Sequence, residues 1–249
     1  MRPARPELTL VDRIADVRGR LDHAIERSGR PRGSVLLVAV TKTLAAEIVA
    51  DAATAGLTVF GENRVQEAVA KIPEVARLVQ RKVSPRWHLV GHLQSNKAKI
   101  ATGIFELIHS VDDTDLAKRL DRALAAAGNR QAVLVQVNVA REESKSGVEV
   151  EGLRELVETV ARFEHLQLRG LMTIPPYDPD PEKSRPHFAA LRGLGEKVRS
   201  WLAPGAYPGD LSMGMSEDFE VAIEEGATIW GAAGQFNRWN RQRQPRRRH

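Results

Sequence analysis

The stretch SVLLVAVTKTLAAEIVADAATAGLTVF, residues 34–60, decides the fold. It opens with the apolar run 34–40, continues through an amphipathic segment from Leu44 to Gly56, and closes with a second apolar run at 57–60. A strand, a helix and a strand in this order predict a βαβ unit with parallel strands. The first run is apolar throughout, which is typical of a strand that helices cover on its outer face.

The same alternation continues along the chain and predicts eight strands. They are 34–40, 57–60, 86–90, 104–110, 131–139, 166–172, 209–213 and 227–231. The chain has 249 residues, and a single (β/α)8 barrel usually has ~250. The alternative, a doubly wound open sheet, calls for a glycine-rich phosphate loop after an early strand, and the sequence has none. We therefore predict an α/β fold, a single (β/α)8 (TIM) barrel.

The helix signals fit this barrel. DTDLAKRLDRALAAAG has Asp113 or Thr114 as its N-terminal cap and Gly128 at its end. A leading helix, about 9–27, precedes the first strand, buries one apolar stripe and is expected to lie across the barrel. No internal repeat or linker indicates a second domain. The predicted divisions are an N-terminal helix region packed on the barrel (1–30), the barrel (31–236) and a basic, disordered tail (237–249).

Composition excludes several classes of function. Hydrophobic residues make up 42% and charged residues 28%, the balance of a folded soluble protein. No apolar run approaches the ~20 residues of a membrane span, and the N-terminus lacks the apolar core of a signal peptide, so we expect a cytoplasmic protein with no membrane partner. The absence of cysteine excludes disulfides, thiolate metal sites and cysteine nucleophiles. No histidines show metal-ligand spacing, so no metal site is expected.

The basic charge does not indicate nucleic-acid binding. The formal net charge is +5, but six arginines lie in the last twelve residues, so the rest of the chain is nearly neutral. A nucleic-acid-binding protein would carry a basic patch on its folded face. No specific nucleic-acid partner is therefore expected.

A barrel carries its functional residues on the loops that follow the strands. Lys42 follows the first predicted strand, with Thr41 between them. A partly desolvated lysine amine there can form a Schiff base with an aldehyde, although a lysine at a strand end is also commonly a solvated surface residue. Gly61 is expected to turn the chain after the second strand, where Asn63 either faces the site or caps the next helix. His88, inside the third strand, is expected to be a packed core histidine.

The seventh predicted strand leads into LSMGMSED, residues 211–218. Ser216 is placed to cap the helix 219–225. A glycine, small hydroxyls and free backbone amides at a helix start form an anion site, and barrels commonly bind phosphate after strands seven and eight. The sequence therefore predicts a phosphate site that uses backbone amides and Ser216.

Six ordered motifs together resemble the pyridoxal 5'-phosphate (PLP) homeostasis family, whose fold is similar to the N-terminal barrel of alanine racemase. The motifs are VTK (40–42), FGENRVQE (60–67), WHLVGHLQSNK (87–97), SKSG (144–147), RGLMTIP (169–175) and LSMGMSED (211–218). The resemblance implies that Lys42 carries PLP as a Schiff base, that Asn63 and Met172 lie near the cofactor, and that Ser216 contacts its phosphate. It implies a carrier or buffer for intracellular PLP homeostasis with no established catalytic reaction. We expect a monomer, with PLP-dependent apo-enzymes as partners.

The alternative is a PLP-dependent amino-acid racemase or related enzyme. Alanine racemases of this barrel type add a second domain that supplies a catalytic tyrosine. The chain has only Tyr177 and Tyr207, both in proline-rich segments, although a lysine could serve alone. We expect a carrier, with no residue in a catalytic role.

The chain departs from the family pattern at two places. His92 stands where the family usually has proline, a change we expect to be tolerated. After Ile229, the family's Val-Arg-x-Gly-Thr strand is replaced by residues 230–234, followed by the arginine tail. Such an abrupt switch from a family-like body to an arginine-rich tail resembles a shifted reading frame. The alternative is a true variant of the family.

Overall fold

The computed structural model describes residues 9–79, 83–142 and 146–233. Its strands are β1 (Leu36–Val40), β2 (Val59–Glu62), β3 (Arg86–Leu89), β4 (Leu107–Val111), β5 (Gln131–Gln136), β6 (Leu166–Met172), β7 (Asp210–Ser212) and β8 (Ile229–Ala232). Its α-helices are α1 (Leu10–Arg27), α2 (Ala46–Thr54), α3 (Val65–Leu78), α4 (Ala98–Ala101), α5 (Thr114–Ala127), α6 (Leu153–Arg162), α7 (Arg185–Trp201) and α8 (Phe219–Glu224). Short 3-10 helices cover Ser95–Lys97, Val150–Gly152 and Pro181–Ser184.

The eight strands form a closed parallel barrel in chain order, and β8 pairs with β1 to complete the circle. Four consecutive pairs join these two strands, from Leu36 opposite Ile229 to Ala39 opposite Ala232. The predicted (β/α)8 barrel is confirmed, and each of the eight predicted strands overlaps an observed one.

Apolar side chains fill the barrel in two layers. Inside the strands, a separate buried cluster is formed by Val38, Val59, Leu107, Leu134, Met172 and Ile229. The larger cluster lies between the strands and the surrounding helices. Because side chains alternate along a strand, β1, β2, β4, β5, β6 and β8 each supply residues to both layers. The interior between the described strands is therefore packed with side chains.

Gly61 does not turn the chain, contrary to the prediction. It lies within β2, and a Cβ atom at this position would be 3.0 Å from Val38 Cγ1 and 3.3 Å from Val40 Cγ2. Those distances are too short for a side chain without displacing its neighbours. The absence of a side chain at Gly61 therefore lets the neighbouring valines pack closely in the barrel interior.

The leading helix α1 starts with a reciprocal capping box between Thr9 and Asp12, and its apolar stripe is buried. It packs against α8. Arg20 lies over the ring of Phe219 and forms an ion pair with Glu220, in which Nη2 and Oε1 are 3.3 Å apart. The residues before the barrel thus secure the helix that follows the seventh strand. In the described part of the chain, no helix is long and apolar enough to cross a membrane.

Candidate functional site

A cavity of about 130 Å³ opens at the carboxyl ends of the strands; we call it the upper cavity. Its described lining residues are Val38, Val40, Lys42, Asn63, Val90, His109, Met172, Thr173, Ile174, Ser212, Met213, Gly214, Met215, Gly231 and Ala233. They come from every described strand or strand end except those of β5. This is the end of the barrel where functional sites of this fold are found.

Lys42 occupies the corner of a tight turn at the end of β1. The turn is closed by a hydrogen bond from the Leu44 backbone N–H to the Thr41 carbonyl oxygen, 3.0 Å long. Thr43, the next residue, has a φ of 64°, a left-handed conformation that β-branched residues rarely adopt. Lys42 is half-buried and is the one lysine among the described residues that line the upper cavity.

A buried ionic network anchors the residue before Lys42. Lys71 Nζ, on α3, donates to Glu62 Oε1 at 2.7 Å and to the Thr41 carbonyl oxygen at 2.8 Å. Thr41 Oγ1 donates to the same carboxylate oxygen, also at 2.7 Å. Glu62 is completely buried, and Lys71 and Thr41 are buried as well. The network ties β1, β2 and α3 together directly below the turn that carries Lys42.

Asn63 follows β2 and lines the upper cavity. The cap position of α3 belongs to Arg64, so the interpretation of Asn63 as a helix cap is wrong. Asn63 also borders a neighbouring groove of about 610 Å³ that includes Lys97. A side chain at Gly91 would collide with the Asn63 backbone, so the loop after β3 passes this residue closely only because position 91 is glycine.

Met172 ends β6 and is buried in the wall of the upper cavity, where it belongs to the same apolar cluster as Val38. The next residue, Thr173, also lines the cavity, and its Oγ1 donates to the Val137 carbonyl oxygen at 2.9 Å. The structure thus brings Lys42, Asn63 and Met172 together around one cavity.

Ser216 is placed differently from the prediction. It lies in a turn two residues ahead of Asp218, which occupies the N-cap position of α8, so the prediction that Ser216 caps this helix is wrong. Asp218 instead accepts hydrogen bonds from the Met215 N–H at 2.6 Å and from Ser184 Oγ at 2.8 Å. The cavity lining at this loop consists of Met213, Gly214 and Met215, and Ser216 is not part of it.

The loop after β7 depends on Gly214, whose φ is +94°. A Cβ atom there would be 2.7 Å from the Cβ atom of Ala222 on α8. Both the backbone conformation and the space available therefore require glycine. The close approach holds this loop at the cavity rim.

Sequence reasoning missed two polar residues in the upper cavity, His109 and Ser212. His109 Nδ1 lies 2.9 Å from Ser212 Oγ, and His109 Nε2 lies 3.0 Å from His88 Nδ1. All three residues are buried. His109 alternates with Leu107 along β4, and this two-residue spacing was the signal that would have placed its ring inside the barrel. His88 is buried in the barrel interior, as predicted.

Burial keeps both histidines neutral. It lowers the pKa of His88 to about 4, with a second contribution from the positive charge of Arg86. Burial also lowers the pKa of His109 well below its usual value near 6.5. Among the described residues, no group of three or more histidine or acidic side chains gathers as a metal site.

The segment after Ile229, where the chain departs from the family pattern, forms most of β8. Trp230 is fully buried and its ring stacks on Phe219, with centroids 4.0 Å apart. Gly231 and Ala233, which lie after the point where the chain departs from the family pattern, line the upper cavity. Residues 234–249, including the predicted disordered tail, and Lys145 of the SKSG motif lie outside the described residues.

Comparison with known proteins places this barrel in one class. Residues 18–229 match the alanine racemase N-terminal domain family. The fold agrees with a solved alanine racemase from Clostridium difficile, with a TM-score of 0.67 at 12% identity over 90% of this chain and 56% of the other. The protein is thus a barrel of the alanine racemase N-terminal class.

Closer relatives narrow this class. A pyridoxal phosphate homeostasis protein of Aquifex aeolicus is 43% identical over 218 residues, which cover 88% of this chain and 92% of the relative. The structure of PipY from Synechococcus elongatus, solved with PLP bound, matches with a TM-score of 0.78 at 36% identity over 92% of this chain and 99% of PipY. The chain belongs to the pyridoxal phosphate homeostasis protein family.

Proposed function

We propose that this protein binds PLP in the upper cavity as a Schiff base on Lys42 and serves intracellular PLP homeostasis as a carrier. The observation that carries the proposal is the position of Lys42, the one lysine among the cavity's described lining residues. Its amine attacks the aldehyde carbon of PLP, a C=N bond forms, and one water molecule leaves.

The chemistry of the cavity lining suits this cofactor. Val38, Val90 and Met172 provide apolar walls for a flat ring, while Asn63 and Ser212 offer polar contacts. None of the described lining residues is a carboxylate, so no lining charge repels a phosphate. The Gly214–Met215 segment contributes to the rim, and we propose that Ser216, beside it, contacts the phosphate.

Neither tyrosine of the chain is placed to serve as the second base of the racemase alternative. Tyr177 is 72% exposed, and Tyr207 is buried, with a pKa that burial raises. Neither tyrosine lines the upper cavity. The relatives' names also favour a role in cofactor homeostasis over a catalytic role.

The remaining features of the proposal follow the sequence. We propose that the barrel, 31–236, is the cofactor-binding unit, with 1–30 and 237–249 outside it, and that the protein works as a cytoplasmic monomer. PLP-dependent apo-enzymes are the proposed recipients. Pull-down of PLP-free enzymes with loaded protein tests this last point.

Visible absorbance, borohydride reduction and peptide mapping test the attachment site. Purified protein loaded with PLP is expected to be yellow, to bleach on reduction, and to yield one modified peptide that contains Lys42. Lys42→Ala is expected to abolish the reducible adduct without unfolding the protein, because this half-buried residue lies in a turn outside the apolar core.

Lys97→Ala is the matched control, since Lys97 lies in the neighbouring groove at the same end of the barrel. It is expected to keep the adduct. A protein that PLP cannot make yellow, or a Lys42→Ala variant that retains a full adduct, contradicts the proposal.

A further inference from the structure

A line of hydrogen-bonding side chains runs through the interior of the barrel. Ser212 Oγ on β7 lies 2.9 Å from His109 Nδ1 on β4, and His109 Nε2 lies 3.0 Å from His88 Nδ1 on β3. Ser212 is 8% exposed and each histidine 1%. Water therefore has little access to the polar atoms between the two ends of this line.

The line connects two cavities at opposite ends of the barrel. Ser212 and His109 line the upper cavity. His88 borders a lower cavity of about 810 Å³, which is formed at the amino ends of the strands by residues such as Arg86, Gln131 and Asp210. His88 does not line the upper cavity, so its hydrogen-bonded connection to that cavity runs through His109.

The charge state of the histidines restricts the line to two arrangements. Both rings are neutral at pH 7, since burial lowers both pKa values. A neutral imidazole has one N–H donor and one acceptor nitrogen. All hydrogen bonds in the line must then point the same way.

The two arrangements present different atoms to the upper cavity. In the first, His88 Nδ1–H donates to His109 Nε2 and His109 Nδ1–H donates to Ser212 Oγ, which frees the Ser212 hydroxyl to donate into the cavity. In the second, Ser212 donates to His109 Nδ1 and His109 Nε2–H donates to His88, so that Ser212 offers only an acceptor.

We propose that Ser212 donates a hydrogen bond to the bound cofactor and that His109 and His88 are positioning residues that hold it in this donor state. This inference rests on the proposed function. The phosphate and phenolate oxygens of PLP are acceptors, so a donor at Ser212 matches them and an acceptor does not. In the loaded protein, both histidines then carry their proton on Nδ1.

Nitrogen-15 NMR of the full chain with labelled histidine tests this prediction directly. Spectra of PLP-free and PLP-loaded wild-type protein at pH 7 distinguish Nδ1–H from Nε2–H rings, and His88→Gln and His109→Gln assign the signals. The Nδ1–H form of both His88 and His109 in loaded protein is the expected result. An Nε2–H form of either ring in loaded protein overturns the proposal. The deciding spectra are those of the wild-type protein, so the test does not depend on the PLP affinity of a variant.

Binding measurements give a second readout. Ser212→Ala and His109→Phe are expected to raise the PLP dissociation constant about three- to tenfold, the loss of one net hydrogen bond. His88→Phe is expected to have a smaller effect in the same direction, and His88→Gln to restore part of it. His165→Gln is the control, because His165 pairs with Asp121 away from both cavities.

The experiment separates this proposal from the function on which it rests. Failure of wild-type protein to form the reducible adduct overturns both. A normal adduct on Lys42 combined with Nε2–H histidines, or with Ser212→Ala affinity equal to that of wild type, overturns only the role of the Ser212–His109–His88 line.

Discussion

Removal of the positive charge below the lysine turn is expected to destabilise the protein strongly. Lys71→Met keeps the apolar stem of the side chain but removes the ammonium group that donates to Glu62 Oε1 and to the Thr41 carbonyl. Glu62 is completely buried, and its Oε2 atom already has no hydrogen-bond partner. The variant leaves the carboxylate with one partner, the Thr41 hydroxyl. Breaking a buried ion pair from one side costs about 3–5 kcal/mol, and we expect a loss of that size.

Urea denaturation followed by circular dichroism measures this loss as a shift of the midpoint at unchanged slope. The double variant Glu62→Gln with Lys71→Met is expected to regain much of the stability, because no buried charge remains. Arg154→Met is the matched control: its ion pair with Glu158 lies on the surface, and its loss should cost under about 1 kcal/mol. A Lys71→Met variant within 1 kcal/mol of wild type would refute the reasoning that this network supports the lysine turn.

Three further predictions concern acid stability, the unusual ending and catalysis. The pKa of His88 is about 4 in the folded state, below its usual value of 6.5, so the unfolded chain takes up the proton first as the pH falls. The free energy of unfolding should therefore be about 2 kcal/mol lower at pH 5 than above pH 6.5. Urea denaturation of His88→Gln should show a smaller decline over this range, and an equal decline would mean that His88 is not the cause. Replacement of residues 230–249 by Val-Arg-Val-Gly-Thr-Ala-Ile-Phe-Gly should lower the PLP dissociation constant about ten- to a hundredfold, through one charge-assisted contact worth about 1.5–3 kcal/mol. An unchanged constant means that the native ending already completes the site. Racemase and transaminase assays of loaded protein should show turnover far below the enzyme median of ~10 per second, and rates near that value would revive the enzyme alternative.

The fold was predictable because each strand is a short apolar run that ends at a polar loop. The errors lie at strand ends, where apolar content alone is a poor guide. Strand 131–139 was predicted too long, since β5 ends at Gln136 and Val137 instead bridges to Val148. Strand 104–110 was predicted to start too early, because Phe105 packs into the core from the preceding loop.

The site was predictable where one residue at a strand end carries the chemistry, as at Lys42. It was not predictable where residues meet only through the barrel's register. Contacts of His109 with Ser212 and of Lys71 with Glu62 join separate elements, and no local spacing reveals them. The prediction of the α8 cap failed for a different reason: Asp218 holds the N-cap position without a side-chain cap hydrogen bond, and its carboxylate accepts from the Met215 N–H and from Ser184 Oγ instead.

The closure of the barrel between β1 and β8 has a consequence for synthesis on the ribosome. β1, which leads into Lys42, gains one of its two neighbours only when β8 is made, near the end of translation. β8 depends on β1 in turn, because four residue pairs join it to β1 and a single pair, Ser212 with Ile229, joins it to β7. The nascent chain therefore carries an open strand edge for almost its whole synthesis, a state in which parallel sheets fold slowly and tend to aggregate. Truncation before β8 should consequently yield an aggregating chain without a cofactor cavity, and not a weakened carrier.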